Sequence, residues 1–208
     1  MYALITDGSI AKYLSGNRGI TIGGIQYPRN IFTLWTATEK EAIGIYEVIQ
    51  NNAKKKDEAY YTNTNQTFTY DADAGTVTAT YGDATAKAHA DTLFTEDDED
   101  DGLGTEGEVK VEGLKTVRIR TVKAQAAGIL QDTDWYIVRK ADADTDVPSA
   151  ITTFRAAVRS KAAAMETLIT NASNTPAIET LYTYVNTADE GDPVVMERPL
   201  GEFPVLGS

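Results

Sequence analysis

Cysteine is absent from this chain of 208 residues, and histidine occurs once, as His89. Without cysteine there are no disulfides, no thiolate metal ligands and no cysteine nucleophile. A Ser–His–Asp site would have to use His89, and nothing near it in the sequence resembles an activated nucleophile. Acidic residues are numerous, but no spacing singles out a pair for glycoside cleavage, so a glycosidase is a remote alternative. We therefore predict a protein that is not an enzyme and needs no cofactor.

Basic residues are also scarce, with 19 Lys and Arg against 31 Asp and Glu and a net charge of −12. Phosphate binding needs clustered Lys and Arg, so this balance disfavours nucleic acid and anionic membrane surfaces as partners. No apolar run approaches the roughly 20 residues of a membrane-spanning helix. The first residues lack the basic flank and apolar stretch of a signal peptide, so we do not expect secretion by that route.

The length and composition predict a folded protein with one large domain or two small ones. Apolar residues make up 42% of the chain. The patterning predicts an α+β fold in which a small antiparallel β-sheet forms an N-terminal module over residues 1–94. A C-terminal helical hairpin is predicted over residues 109–187, and residues 188–208, with three prolines, are predicted to form an extended arm.

Turn residues and alternating patterns define the predicted N-terminal module. Asp7-Gly8 separates two short apolar runs and predicts a hairpin over residues 2–13. Residues 67–70 and 76–81 alternate around Asp73-Ala-Gly75 and predict a second hairpin. Residues 44–49 are a compact apolar strand candidate, and residues 84–94 could form a short helix.

Residues 95–108 carry eight acidic residues and no basic one, so removing them would change the net charge from −12 to −4. Like charges at this density repel each other, which predicts a solvated linker and a domain boundary. The alternative is a calcium loop, because four acids have the spacing of EF-hand ligands: Asp97, Glu99, Asp101 and Glu108. Gly104 opposes that alternative, since a bulky apolar residue is usual at its position, so no metal site is predicted.

The strongest helical signal follows Pro148, where apolar residues recur every three or four positions from Ile151 to Ile169. A second helix is predicted over residues 111–131, although Gly113 and Gly128 weaken it. A third, short helix is predicted over residues 176–185. Because neither long helix can bury its apolar stripe alone, an antiparallel hairpin is the expected arrangement.

Two groups of motifs resemble known bacteriophage families. Residues 44–48 (GIYEV), Asp57, Tyr60, Asn65-Gln66 and residues 73–81 (DAGTVTATY) resemble the N-terminal module of many phage tail proteins. Residues 129–135 (ILQDTDW) and 154–159 (FRAAVR) are similar to the signature of phage tail assembly chaperones and tail-fibre assembly-like proteins. The final RPLGEFP stretch, residues 198–204, resembles the proline-rich ends of marine phage proteins. The chain departs from smaller family members in its acidic segment and its added C-terminal arm.

The shared residues can be given physical roles as packing or interface candidates. Trp135 could plug the helical hairpin while Asp134 caps a helix or pairs with Arg155 or Arg159. Phe154 replaces the family's tyrosine and would lie on the packing face.

The resemblance implies a tail or tail-fibre-associated protein that acts in virion structure or assembly through protein–protein contacts. It would be found in the virion tail, or in the host cytoplasm during assembly. Its partners would be other tail or tail-fibre proteins, with a homo-oligomer possible. One alternative is a transient assembly chaperone that is absent from the mature virion. A second, of another class, is a carbohydrate-binding accessory module for host attachment that uses the tyrosine-rich surface.

Overall fold

A computed structural model describes residues 1–207, and it has the predicted α+β composition. The chain divides into two compact units, Met1–Thr85 and Ala86–Ser208. The division therefore falls before the acidic segment rather than at residue 94. No helix among residues 1–207 combines the length and apolar content needed to cross a membrane.

The first unit is built on a five-stranded sheet. Its strands are β1 (Tyr2–Thr6), β2 (Ser9–Leu14), β5 (Ile45–Asn51), β7 (Thr67–Asp71) and β8 (Thr76–Thr80), in the order β2-β1-β5-β8-β7. Both predicted hairpins, β1–β2 and β7–β8, are confirmed as antiparallel pairs. At the first turn Asp7 and Gly8 have φ of 51° and 73°, the positive values that this two-residue turn requires. The sheet is mixed rather than wholly antiparallel, because β5 and β8 run parallel.

Side chains alternate between two apolar clusters on the two faces of this sheet, as the pleat requires. Ala3, Val48 and Val77 belong to one cluster, whereas Leu4 and Ile45 belong to the other. The second face is covered by elements that the sequence did not predict. They are β3 (Ile20–Ile22), β4 (Ile25–Tyr27), α1 (Ile31–Leu34) and α2 (Ala37–Glu41), and α2 begins with a capping box between Thr36 and Glu39. Two further short strands are β6 (Tyr61–Thr62) and β9 (Thr85–Ala86).

The short helix predicted over residues 84–94 is wrong. After β9 the chain forms β10 (Thr92–Leu93), and the segment between them caps the first long helix, α4 (Leu114–Gln131). The N–H of Leu114 donates to the Ala88 carbonyl, and the Asp91 carboxylate accepts from the Gly113 N–H at 2.6 Å. A Cβ at Gly113 would lie 2.3 Å from the Ala90 backbone, so glycine at this N-cap is required by close approach.

The acidic segment is folded, contrary to the predicted linker. Strand β10 pairs with β11 (Val109–Val111), and the intervening chain contains a one-turn helix, α3 (Glu96–Asp100). Thr95 and Asp98 form a capping box at its start. The Lys110 ammonium binds the Asp98 carboxylate and, together with the capping bond, lowers the pKa of Asp98 from 3.8 to about 2. Local pairing therefore offsets part of the repulsion that the charge count implied.

Four helices form most of the second unit: α4, α5 (Asp134–Ala143), α6 (Ser149–Asn171) and α7 (Thr175–Tyr182). Helices α4 and α6 are antiparallel, because Lys115 contacts Thr170 at one end and Arg155 contacts Leu130 at the other. They share one core, whose buried members are Val122, Ala126, Val158, Ala162, Met165, Ile169 and Leu200. The predicted helical hairpin is thus present, and α5 is an addition to it.

The C-terminal segment is folded back rather than extended as an arm. Strands β12 (Val185–Asn186) and β13 (Met196–Glu197) pair, and Leu200 is 2% exposed in the helical core. The Leu200 N–H donates to the Leu181 carbonyl at 2.9 Å. Proline content signalled the lack of helix here but gave no sign that an isolated leucine would be buried.

Candidate protein-docking site

A buried arginine holds the junction between α4 and α5. Arg155 lies on the core face of α6 in line with Ile151 and Val158, and it is only 7% exposed. Its Nη1 donates to the Leu130 carbonyl at 2.9 Å and to Thr133 Oγ1 at 2.6 Å. Its Nη2 lies 2.8 Å from Asp134 Oδ1. The guanidinium therefore binds a carbonyl at the end of α4 and fixes the first residue of α5.

The Thr133 hydroxyl reinforces this junction. It donates to the Leu130 carbonyl at 2.8 Å and accepts from the Arg155 guanidinium. Because Arg155 also donates to the Leu130 carbonyl, these three groups are all hydrogen-bonded to one another. Thr133 itself is buried, whereas the Asp134 side chain is 55% exposed. The pair between Asp134 and Arg155 is thus partly solvated, and the buried bonds to Leu130 and Thr133 contribute most of the rigidity.

Helix α5 has no buried residue, although it carries several large apolar side chains. Trp135 is 51% exposed, Ile137 43% and Val138 65%. The interpretation of Trp135 as a plug of the helical hairpin is therefore wrong: the tryptophan points largely into solvent. The core between α4 and α6 is formed by other apolar side chains, and Phe154 packs half-buried against it.

The exposed aromatic side chains of α5 are held in a stacked arrangement. The ring centroids of Trp135 and Tyr136 are 3.8 Å apart, and the Arg139 guanidinium lies 4.7 Å from the Trp135 ring and 5.5 Å from the Tyr136 ring. Cation–π contacts of this kind restrict side-chain rotation in the free protein. The surface is therefore pre-ordered, which lowers the entropy cost of binding a partner.

Trp135, Val138 and Asp142 share one side of α5, because positions i, i+3 and i+7 lie on one helical face. The helix ends close to further carboxylates, and the Lys140 ammonium contacts both Asp144 and Asp146, at 2.8 Å and 2.9 Å. These contacts raise the pKa of Lys140 and lower that of Asp146. Residues 131–147 contain five Asp and two basic residues, so negatively charged side chains outnumber positive ones around these apolar side chains. We call this region the α5 surface, defined by Trp135, Val138, Arg139 and Asp142.

The structure brings Asp134, Thr133 and Arg155 together but leaves Arg159 apart. Arg159 is exposed one turn further along α6 and forms no ion pair among the described residues. Of the two pairings considered for Asp134, the structure contains the one with Arg155.

The four candidate calcium ligands do not converge. Asp97 and Glu99 are part of the α3 helix and Asp101 caps its end, so their side chains point in different directions. The Glu99 carboxylate instead accepts from the Glu106 N–H at 2.8 Å. Within residues 1–207 no group of three or more His, Cys, Asp or Glu is arranged to hold a metal ion.

Sequence reasoning missed Thr133, Val138 and Arg139. The spacing of Trp135 and Arg139, four residues apart, would have signalled a stacked pair had residues 134–143 been read as a helix. That helix was hidden because it ends at Asp144, which adopts a left-handed conformation with φ of 50° in place of the usual glycine.

Comparison with known proteins gave no further guide to the site. No protein-family model, no curated protein and no solved structure matches the chain. The resemblance to phage tail families therefore rests on the sequence motifs alone.

Proposed function

We propose that this protein is a non-enzymatic, tail- or tail-fibre-associated bacteriophage protein that acts in virion structure or assembly through protein–protein contacts. The observation that carries the proposal is the α5 surface. Helix α5 has no buried residue, yet its first residue, Asp134, is held by the buried side chain of Arg155. A helix with no buried side chain and only two half-buried ones gains little stability from its own unit. Its rigid anchoring therefore favours a role in contacts with another molecule.

The side chains of the α5 surface suit an interface better than open solvent. Tryptophan and arginine are enriched among residues that dominate binding energy. Adjacent exposed apolar side chains mark contact sites more often than isolated ones do. Here Trp135 and Arg139 are stacked, and Val138 lies beside Trp135 on the same face.

The charge around the α5 surface specifies the chemistry of the partner. Asp142 lies on the same face as Trp135 and Val138, and Asp144 and Asp146 share only one ammonium, that of Lys140. A partner segment with apolar side chains flanked by Lys or Arg would complement this surface. A second copy of the chain would bring together two patches of the same negative sign, so the proposal commits to a basic segment of a different tail or tail-fibre protein.

The proposal is tested by mass spectrometry of purified particles that carry either the wild-type chain or Val138→Asp. The wild-type chain is expected at a fixed copy number, and Val138→Asp is expected to be depleted at least tenfold. Leu34→Asp is the matched control, because Leu34 is 73% exposed in the other unit and its substitution should leave incorporation unchanged. Absence of the wild-type chain from mature particles would instead favour the transient chaperone. Equal incorporation of both variants would contradict docking through α5.

A further inference from the structure

Two tyrosines of the first unit are held with their hydroxyl groups in contact. The Tyr70 hydroxyl donates to the Tyr46 hydroxyl at 3.3 Å, and the ring centroids lie 5.1 Å apart with the ring planes inclined at 59°. Tyr46 belongs to β5 and Tyr70 to β7, so 24 positions of the chain separate them. The contact is therefore fixed by the sheet rather than by neighbouring residues.

The sheet brings these rings together across strand β8, which lies between β5 and β7. Tyr70 pairs with Val77 of β8, and Val77 also pairs with Val48 of β5. Tyr46 precedes Val48 by two positions, so its side chain lies on the same face of the sheet. Val77 is fully buried, and both tyrosines pack half-buried against the cluster that contains it. The two rings thus meet over a smaller side chain and remain partly exposed to solvent.

Paired phenols of this geometry are suited to oxidative coupling. A one-electron oxidant that takes one electron from each phenol, with loss of one proton from each, gives two phenoxyl radicals, whose unpaired spin lies partly on the ring carbons ortho to oxygen. These carbons flank the hydroxyls that are in contact, so they lie on the facing sides of the two rings. A carbon–carbon bond between them, followed by transfer of the two ring hydrogens to the oxygens, restores both phenols. Because the rings already touch, the coupling needs no encounter between molecules.

We propose that Tyr46 and Tyr70 form a site of oxidative cross-linking, at which a one-electron oxidant of the peroxidase type converts the pair into dityrosine. The link joins β5 to β7 covalently across β8. The chain has no cysteine, so no disulfide can do this. Closing a loop of this length restricts the unfolded chain, so the link stabilises the first unit. The inference goes beyond the proposed function and does not depend on it.

Photo-oxidation of the full chain tests the proposal, with ruthenium tris(bipyridine) as sensitiser and persulfate as the acceptor of the two electrons. The monomer is isolated by size exclusion, its dityrosine is measured by fluorescence, and the link is located by mass spectrometry of cross-linked peptides. We expect a cross-link between Tyr46 and Tyr70, an intact mass lower by two hydrogen atoms, and a yield that does not fall on tenfold dilution. Tyr46→Phe and Tyr70→Phe each keep the ring but lack one phenol, so each should lower the dityrosine of the monomer at least fivefold. The oxidised wild-type monomer should unfold at a temperature at least about 5 °C above that of the untreated chain.

Tyr13→Phe is the matched control. Tyr13 lies on the same face and is 50% exposed, but its ring packs on Phe68, which has no hydroxyl to oxidise. Its substitution should leave the dityrosine of the monomer unchanged, and circular dichroism before oxidation checks that each variant is folded. Cross-links confined to other tyrosines, or as much monomer dityrosine in Tyr46→Phe as in the wild type, would overturn the proposal. So would dityrosine found only in dimers and larger species, or an unfolding temperature that the cross-link leaves unchanged. None of these results bears on the α5 surface, so the two proposals fail separately.

Discussion

Replacing Arg155 by Met should destabilise the second unit selectively. Methionine keeps the apolar stem and much of the volume but removes the bonds to Leu130, Thr133 and Asp134. The Thr133 hydroxyl still donates to the Leu130 carbonyl, so that acceptor is not left unsatisfied. We expect a loss of about 2 kcal/mol in the free energy of unfolding, from two buried charge-assisted bonds offset by relief of the buried charge.

Removing the other charge should cost less. Asp134→Asn leaves the Arg155 guanidinium its bonds to Leu130 and Thr133, and the Asp134 side chain is 55% exposed. A partly solvated ion pair of this kind contributes less than about 1 kcal/mol. We therefore expect Arg155→Met to lower the free energy of unfolding clearly more than Asp134→Asn does.

The chain allows the two units to be followed separately, because it has two tryptophans and each unit contains one, Trp35 and Trp135. Urea unfolding in a Trp35→Phe background reports the second unit through Trp135 fluorescence. Arg159→Met is the control, as an exposed arginine on the same helix should cost less than about 0.5 kcal/mol. Destabilisation by Arg159→Met or Asp134→Asn as large as that by Arg155→Met would contradict the anchoring of α5 by Arg155.

Three further predictions concern the same unit. Trp135→Ala should change the free energy of unfolding by no more than about 1 kcal/mol because the side chain is half exposed. Its urea unfolding is followed by far-ultraviolet circular dichroism, since the variant lacks the tryptophan reporter, and a loss above about 3 kcal/mol would support the role of a plug. Leu200→Ala should cost about 2–4 kcal/mol in the same assay because the side chain is buried in the helical core, and an unchanged midpoint would mean that the C-terminal segment is not docked. The bond from Lys110 lowers the pKa of Asp98 from 3.8 to about 2, so its stabilising effect should be complete above pH 4 and fade as the pH falls towards 2. Stability curves of the wild type and Asp98→Asn should converge over that range, and parallel curves would contradict the pairing.

The sequence predicted those elements whose signals are local. The recurrence from Ile151 to Ile169 appears in the structure as the buried stripe of α6, because burial of one side of an α-helix selects a repeat of about 3.6 residues. Asp7-Gly8 predicted the first hairpin for a similar reason, since few dipeptides adopt two successive positive φ angles.

Elements that depend on distant partners could not be predicted in this way. Nothing near Asp91 indicates that its carboxylate caps α4, 22 residues further along the chain. The charge count of residues 95–108 predicted an open linker because it takes no account of residues outside this range. Strands β10 and β11, which flank the segment, pair with each other, and Lys110 binds Asp98. Arg155 falls within an apolar repeat, and only the structure reveals the carbonyl and hydroxyl that compensate its burial.

The candidate site was predicted in part. The motif residues Asp134 and Arg155 were singled out and lie in contact, but the side chain expected to be buried, Trp135, is the one that is exposed. Burial of a tryptophan is a statistical tendency, and here the side chain buried at the junction is that of Arg155.

Amine cross-linking of intact tails, read by mass spectrometry, tests the docking claim most directly. Lys140 is the one lysine of α5, and its side chain is 43% exposed. We expect cross-links from Lys140 to lysines in a basic segment of another tail or tail-fibre protein. Tails in which Lys54 and Lys55 of the first unit cross-link to neighbouring proteins while Lys140 does not would contradict it.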